Sequence, residues 1–130
     1  MLFRSLLASV VFDFFARRLP DENLRRGLHL AGLGAAVVAG LGGVGAVISG
    51  LGMTRGEMLG SGYEKIHHLF VWAAFGLCVA LVSWRLLQRG RMPQRRFGIY
   101  LAGMSIASAL MMGAGFFGGE MLLGDRKSVV

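Results

Sequence analysis

Three long stretches without Asp, Glu, Lys or Arg dominate the chain: Gly27 to Thr54, Ile66 to Trp84 and Phe97 to Gly119, of 28, 19 and 23 residues. A bilayer core of about 30 Å takes ~20 apolar residues in a helix. Each stretch meets that length, the middle one narrowly. Backbone groups in hydrocarbon must pair within their own segment, so each stretch is expected to be helical despite its glycines. Turn-forming residues fill the gaps. Leu19-Pro20-Asp21-Glu22-Asn23 reads as a tight turn, with Pro20 closing a first helix. Arg91-Met92-Pro93-Gln94 reads as a second turn, and the glycine-broken run from Gly52 to Tyr63 as the longest loop.

The segment ahead of the first turn, Met1 to Ala16, is apolar except for Arg4 and Asp13, and runs into Arg17-Arg18. It could be a cleaved leader, an interfacial helix or a fourth span. A cleavage site needs small residues, but the run ends Phe14-Phe15-Ala16-Arg17-Arg18. An interfacial helix needs a polar face, but here apolar residues nearly encircle the helix. The length rule favours a short, tilted span with Arg4 and Arg17/Arg18 reaching opposite headgroup regions. The expected fold class is all-α, an integral membrane four-helix bundle forming one domain over residues 1–130. Its spans are expected near 2–19, 27–52, 65–87 and 97–120.

Composition agrees with lipid as the solvent. Hydrophobic residues are 55% of the chain, charged residues only 16%, and mean hydropathy is +0.61. A soluble domain carries about a quarter charged residues. The net charge of +7 would point to nucleic acid in a soluble protein. Here the cations sit between apolar runs and act as topology signals, so no nucleic-acid partner is expected. With four spans, Arg17, Arg18, Arg25, Arg26, Arg85, Arg89, Arg91, Arg95 and Arg96 share one side. Arg4, Arg55, Lys65, Arg126 and Lys127 share the other. The positive-inside rule makes the first side cytoplasmic and puts both termini on the exterior or periplasmic side. The expected location is a bacterial inner (plasma) membrane, crossed several times. Cys78 is the only cysteine, which excludes an internal disulfide and any Cys-based metal motif.

The glycines fall in rows. In the second span Gly27, Ala31, Ala35, Ala39 and Gly43 recur every four residues, as do Gly32, Ala36 and Gly40, and Gly42, Ala46 and Gly50. The third span offers Ala73, Gly76, Ala80 and Ser83. The last offers Gly103 with Ala107, Gly115 with Gly119, and Ser105, Ala109 and Gly113. Spacing of four places residues on one face, and small faces let helices approach closely in lipid. Gly32, Ala36, Gly40, Gly43, Gly76, Ala80, Gly103, Ala107, Gly115 and Gly119 are the expected packing positions. They would serve contacts within the chain, or with other membrane subunits or a second copy.

Polar chemistry is sparse. His29 opens the second span and His67-His68 the third, at opposite ends. The two levels are about 36 Å apart at 1.5 Å per residue, so one iron cannot be held by both. On the third span, Leu69, Ala73, Gly76, Ala80 and Ser83 form the small face, with His68 on its flank and His67 turned away beside Cys78. His68 is therefore the expected interior histidine. Met111, Met112, Met121 and Glu120 lie toward the same end. His68 with Met111, Met112 or a partner's ligand would suit haem b, while His67, His68, Met residues and Glu120 would suit copper or another metal less well. Methionine is also a routine filler of apolar gaps. Asp13 is the one acid in an apolar run, and Arg17, four residues on, is its expected partner. No paired carboxylates, nucleophile triad or phosphate loop is present, so no enzyme is expected.

Four stretches resemble a small bacterial membrane family, domain-of-unknown-function family 2231: Leu6-Leu7-Ala8 through Phe12-Asp13, Asn23-Leu24-Arg25-Arg26-Gly27, His68, and Gly118-Gly119-Glu120-Met121-Leu122. The resemblance implies the four-helix fold and a polar cluster at the exterior end, suggested as a haem or metal site. Of that cluster His68 and Glu120 are present. The family's opening His-Pro elements and closing Tyr-x-His-Gly motif are replaced by Met1-Leu2-Phe3-Arg4 and Leu123-Gly124-Asp125-Arg126. That departure implies either a segment ahead of Met1 or a member without the site. The expected function is a non-catalytic accessory or scaffold subunit in the lipid bilayer. The alternatives are a haem b redox protein and, third, a metal-handling protein.

Overall fold

The computed structural model describes residues 2–54, 56, 58–88 and 92–127, with side chains to Glu120 apart from Leu2 and Met53. Its elements are α1 (Leu2–Ala16), α2 (Glu22–Met53), α3 (Gly62–Leu87) and α4 (Gln94–Lys127). The fold is all-helical. Three helices are long and apolar enough to cross a membrane: Glu22–Gly52, Gly62–Leu87 and Gln94–Glu120.

The fourth, α1, is shorter than the span expected over 2–19. It has 15 residues, about 22 Å of rise, against a core of about 30 Å. Its last turn closes with the Arg18 N–H on the Phe15 carbonyl, 2.9 Å. Pro20 then disfavours helical backbone at Leu19. α2, by contrast, starts a turn and a half before its apolar run. Asp21 caps it by accepting from the N–H groups of Asn23 (2.8 Å) and Leu24 (3.1 Å). Glu22 adds a negative charge at the positive end of the helix. The α2–α3 loop turns at Gly60 and Gly62, whose φ values of 54° and 58° disfavour any residue with a β-carbon. The Trp72 Nε1–H donates to the Met58 carbonyl at 3.1 Å and holds that loop against α3.

The helices form a ring in which each touches its sequence neighbours, with α4 closing on α1. The α1–α2 and α3–α4 hairpins are closely packed, and contacts between them are sparser. Large side chains enter notches at glycine. A β-carbon on Gly103 would lie 2.7 Å from Leu81 Cδ1, and one on Gly113 2.8 Å from Phe70 Cε1. The core gathers Leu6, Ala36, Ala39, Cys78, Leu81, Val82, Phe97, Tyr100, Met104 and Ala107.

The expected packing positions divide. Gly32, Ala36, Gly43 and Ala107 are buried, and Gly103 receives Leu81. Gly76 and Ala80 point outward with Leu69, Ala73 and Ser83, while α3 buries Ala74, Cys78, Leu81, Val82 and Arg85. In lipid both faces are apolar, so small size alone does not mark the inner one. Bulk filling the α4 notches and the charge of Arg85 set the rotation of α3. Around Gly40, Gly115 and Gly119 nothing lies within 4 Å of the β-carbon position.

Candidate functional site

The four helices meet in one buried polar cluster. Asp13 lies in the last turn of α1, His29 in the second turn of α2, Arg85 in the last turn of α3 and Tyr100 in the second turn of α4. Antiparallel neighbours bring these positions to the same end of the bundle, the end that carries the arginine-rich turns.

Asp13 is 0% exposed and Arg85 5%. The guanidinium engages the carboxylate through both nitrogens: Nη2 donates to Oδ1 at 2.9 Å and Nη1 donates to Oδ2. Nη1 also donates to the Tyr100 hydroxyl at 3.0 Å, and Nη2 to the His29 carbonyl at 2.8 Å. His29 Nδ1–H donates to Asp13 Oδ1 at 3.2 Å. Phe97 and Tyr100 stack at 5.8 Å, and the Arg85 guanidinium lies over both rings, 5.7 and 4.9 Å from their centroids. Gly32 permits the approach of α2, because a β-carbon there would sit 2.7 Å from Asp13 Oδ1.

This arrangement corrects the pairing expected from spacing. Arg17 is bonded to Asp13 only through the backbone, N–H to carbonyl at 3.2 Å, and Asp13 pairs with Arg85 instead. A fork of two parallel bonds in a dry site outweighs a single turn-spaced contact at the surface. Arg85 and Asp13 sit on helices diagonal to one another, so the pair crosses the bundle centre and ties hairpin to hairpin. Chemically the cluster is closed. The carboxylate is held by three donors, and the guanidinium has carboxylate, phenol and carbonyl acceptors. Only His29, with its side chain 35% exposed, connects the cluster to the outside.

At the opposite end, His67 Nδ1–H donates to the Ala114 carbonyl of α4 at 2.8 Å, and its ring packs on Gly118. The expectation that His67 turns outward is thereby reversed, because the Cys78 side of α3 is the buried side. His68 is also half-buried, with its ring 5.8 Å from that of His67. Its Nδ1 is buried and without a hydrogen-bond partner among the described residues. Met111 lies lower, in an apolar cleft with Leu6, Gly43, Phe75 and Cys78. Met112 is 63% exposed and Glu120 exposed. Among the described residues no three His, Cys, Asp or Glu side chains converge as a metal site. Met121 and the motif from Leu123 onward have side chains outside the described residues.

Comparison with family models, with curated proteins and with solved structures returns no match for this chain. Of the cluster's members, the sequence pointed to Asp13 but not to Arg85 or Tyr100. One signal was present: Arg85 is followed by Leu86-Leu87, so it lies inside the apolar stretch and not after it.

Proposed function

We propose that the chain is a non-catalytic integral membrane subunit that packs against other membrane helices through the outer glycine face of α2. One observation carries this reading. Gly27, Gly34, Gly45 and Gly52 are all exposed, and nothing lies within 4 Å of any of their β-carbon positions. Their spacings of 7, 11 and 7 residues are two, three and two helical turns, so they share one line along α2. That line is opposite the buried Gly32, Ala36 and Gly43. Each glycine costs a helix about 0.5–1 kcal/mol relative to alanine, and a face that meets only lipid has no need of it. Close approach of another helix supplies the reason.

The topology completing this reading has four crossings of a bacterial plasma membrane, the arginine-rich turns inside and both termini outside. The positive-inside count supports it. So does the packing of α1 antiparallel to α2, with Arg4 at one end and Arg17 at the other to snorkel across its short length.

The test is Gly34→Leu combined with Gly45→Leu, cross-linked in native membranes. Loss of the cross-linked species, whether a second copy or another subunit, is the expected result. Thermal stability of the isolated chain should stay equal or rise, because leucine is the better helix former. Retention of every cross-link in the variant overturns the proposal.

Haem b or metal at the exterior end has one supporting feature, the unpartnered Nδ1 of His68. Of the thioethers expected to complete an iron site, Met112 faces outward and Met111 lies in the apolar cleft beside Cys78. A Soret band in purified protein that disappears in His68→Ala would favour that second reading over the scaffold.

A further inference from the structure

We propose that the corner where α1 ends and α4 begins binds the phosphate of an anionic phospholipid. The inference concerns a lipid, not a protein partner, and stands apart from the glycine face of α2.

Arg17 leaves the last turn of α1 and lays its guanidinium across α4. Its two terminal nitrogens are 3.5 and 3.9 Å from the point a β-carbon of Gly98 would occupy. Arg95 precedes Gly98 by three residues and so lies on the same side of α4, one turn toward the headgroups. Both arginines are exposed. Arg17 and Arg95 thus belong to the same corner of the fold, and neither is paired with a carboxylate among the described residues. The acidic residues of this end are committed elsewhere. Asp21 caps α2, and Glu22 lies 3.7 Å from Arg25. Among the described residues neither Arg17 nor Arg95 has an ion-pair partner.

Next to Arg17, the Arg18 guanidinium rests 4.5 Å from the centroid of the Phe14 ring. Phe14 and Phe15 are themselves exposed. A cationic floor beside an apolar wall matches a lipid, with phosphate below and acyl chains alongside the phenylalanines. The choice of cation adds a second argument. Apart from the buried Arg85, all eight cations within residues 17–26 and 85–96 are arginine, while both lysines, Lys65 and Lys127, lie elsewhere. Membrane topology is served by either residue. The planar guanidinium fork matches phosphate oxygens in pairs, which an ammonium cannot do.

The experiment compares phosphatidylglycerol with phosphatidylcholine, each added to detergent-solubilised protein. Lipid retention is followed by native mass spectrometry, and the unfolding midpoint is measured in parallel. Wild type should retain phosphatidylglycerol in preference and be stabilised by it. Arg17→Gln with Arg95→Gln should weaken retention about tenfold, the loss of one to two charge-assisted hydrogen bonds. Arg17→Lys with Arg95→Lys should fall between, because charge remains and the fork is lost. Arg25→Gln with Arg26→Gln removes the same charge from α2 and should change retention by less than about twofold. Helical circular dichroism confirms that each variant folds. Equal retention of phosphatidylcholine, equal loss in the α2 control, or the same stabilisation by inorganic phosphate alone would each overturn the proposal.

Discussion

Arg85→Met is expected to destabilise the protein by about 3–5 kcal/mol, the cost of leaving a buried carboxylate without its partner. Asp13 is fully buried and would keep only His29 as a donor. The Tyr100 hydroxyl and the His29 carbonyl would lose the guanidinium as well. Asp13→Leu combined with Arg85→Met removes both charges together. Buried ion pairs replaced by apolar residues of similar volume are often neutral or better, so the double variant should recover most of the loss. Denaturant unfolding in mixed micelles measures both. The single variant should also lose cooperativity between the hairpins, because Arg85 makes the polar link across the diagonal. Arg26→Met, at an exposed position of α2, supplies the scale for a simple charge loss, expected within about 0.5 kcal/mol. If Arg85→Met matches Arg26→Met, the cluster contributes nothing to holding the bundle.

Helices and turns were legible in the sequence because hydrocarbon imposes a length and forbids unpaired backbone. Gly27 to Met53 and Phe97 to Gly119 lie within α2 and α4, Thr54 is the C-cap of α2, and Pro20 and Pro93 lie between helices. The rotation of each helix was not legible. In water, an amphipathic stripe marks the inner face. In lipid, Ala73, Gly76 and Ala80 are as comfortable outside as in, so a small face on α3 carried no direction. The inward turn of His67 was missed for the same reason, since its orientation had been taken from that face. The partner of Asp13 was hidden by distance along the chain. Arg17 is four residues away and Arg85 seventy-two, and only the antiparallel ring brings Arg85 to the same depth. What the sequence did contain was matching depth: Asp13, His29, Arg85 and Tyr100 each lie within about two turns of a helix end on the arginine-rich side.

Gly32→Ala is the second large effect, and it separates glycine needed for contact within the chain from glycine spare for a partner. The new methyl carbon would lie 2.7 Å from Asp13 Oδ1, 2.9 Å from Cγ and 3.1 Å from Oδ2. The carboxylate cannot retreat without stretching its fork to Arg85, so strain and ion pair are charged to the same substitution. Overpacking of this kind costs about 1–3 kcal/mol, to which any weakening of the pair adds. Gly34→Ala, two residues on, meets nothing within 4 Å. It should instead stabilise the isolated chain by about 0.5–1 kcal/mol through helix propensity. The sign change between neighbours on one helix is the signature expected of an inward and an outward face. A double-mutant cycle locates the cause. In an Asp13→Ala, Arg85→Met background the obstacle is gone, and Gly32→Ala should turn from costly to neutral or favourable. A cost that persists there would mean that Gly32 serves the α1–α2 backbone approach itself, and that the carboxylate only happens to stand beside it.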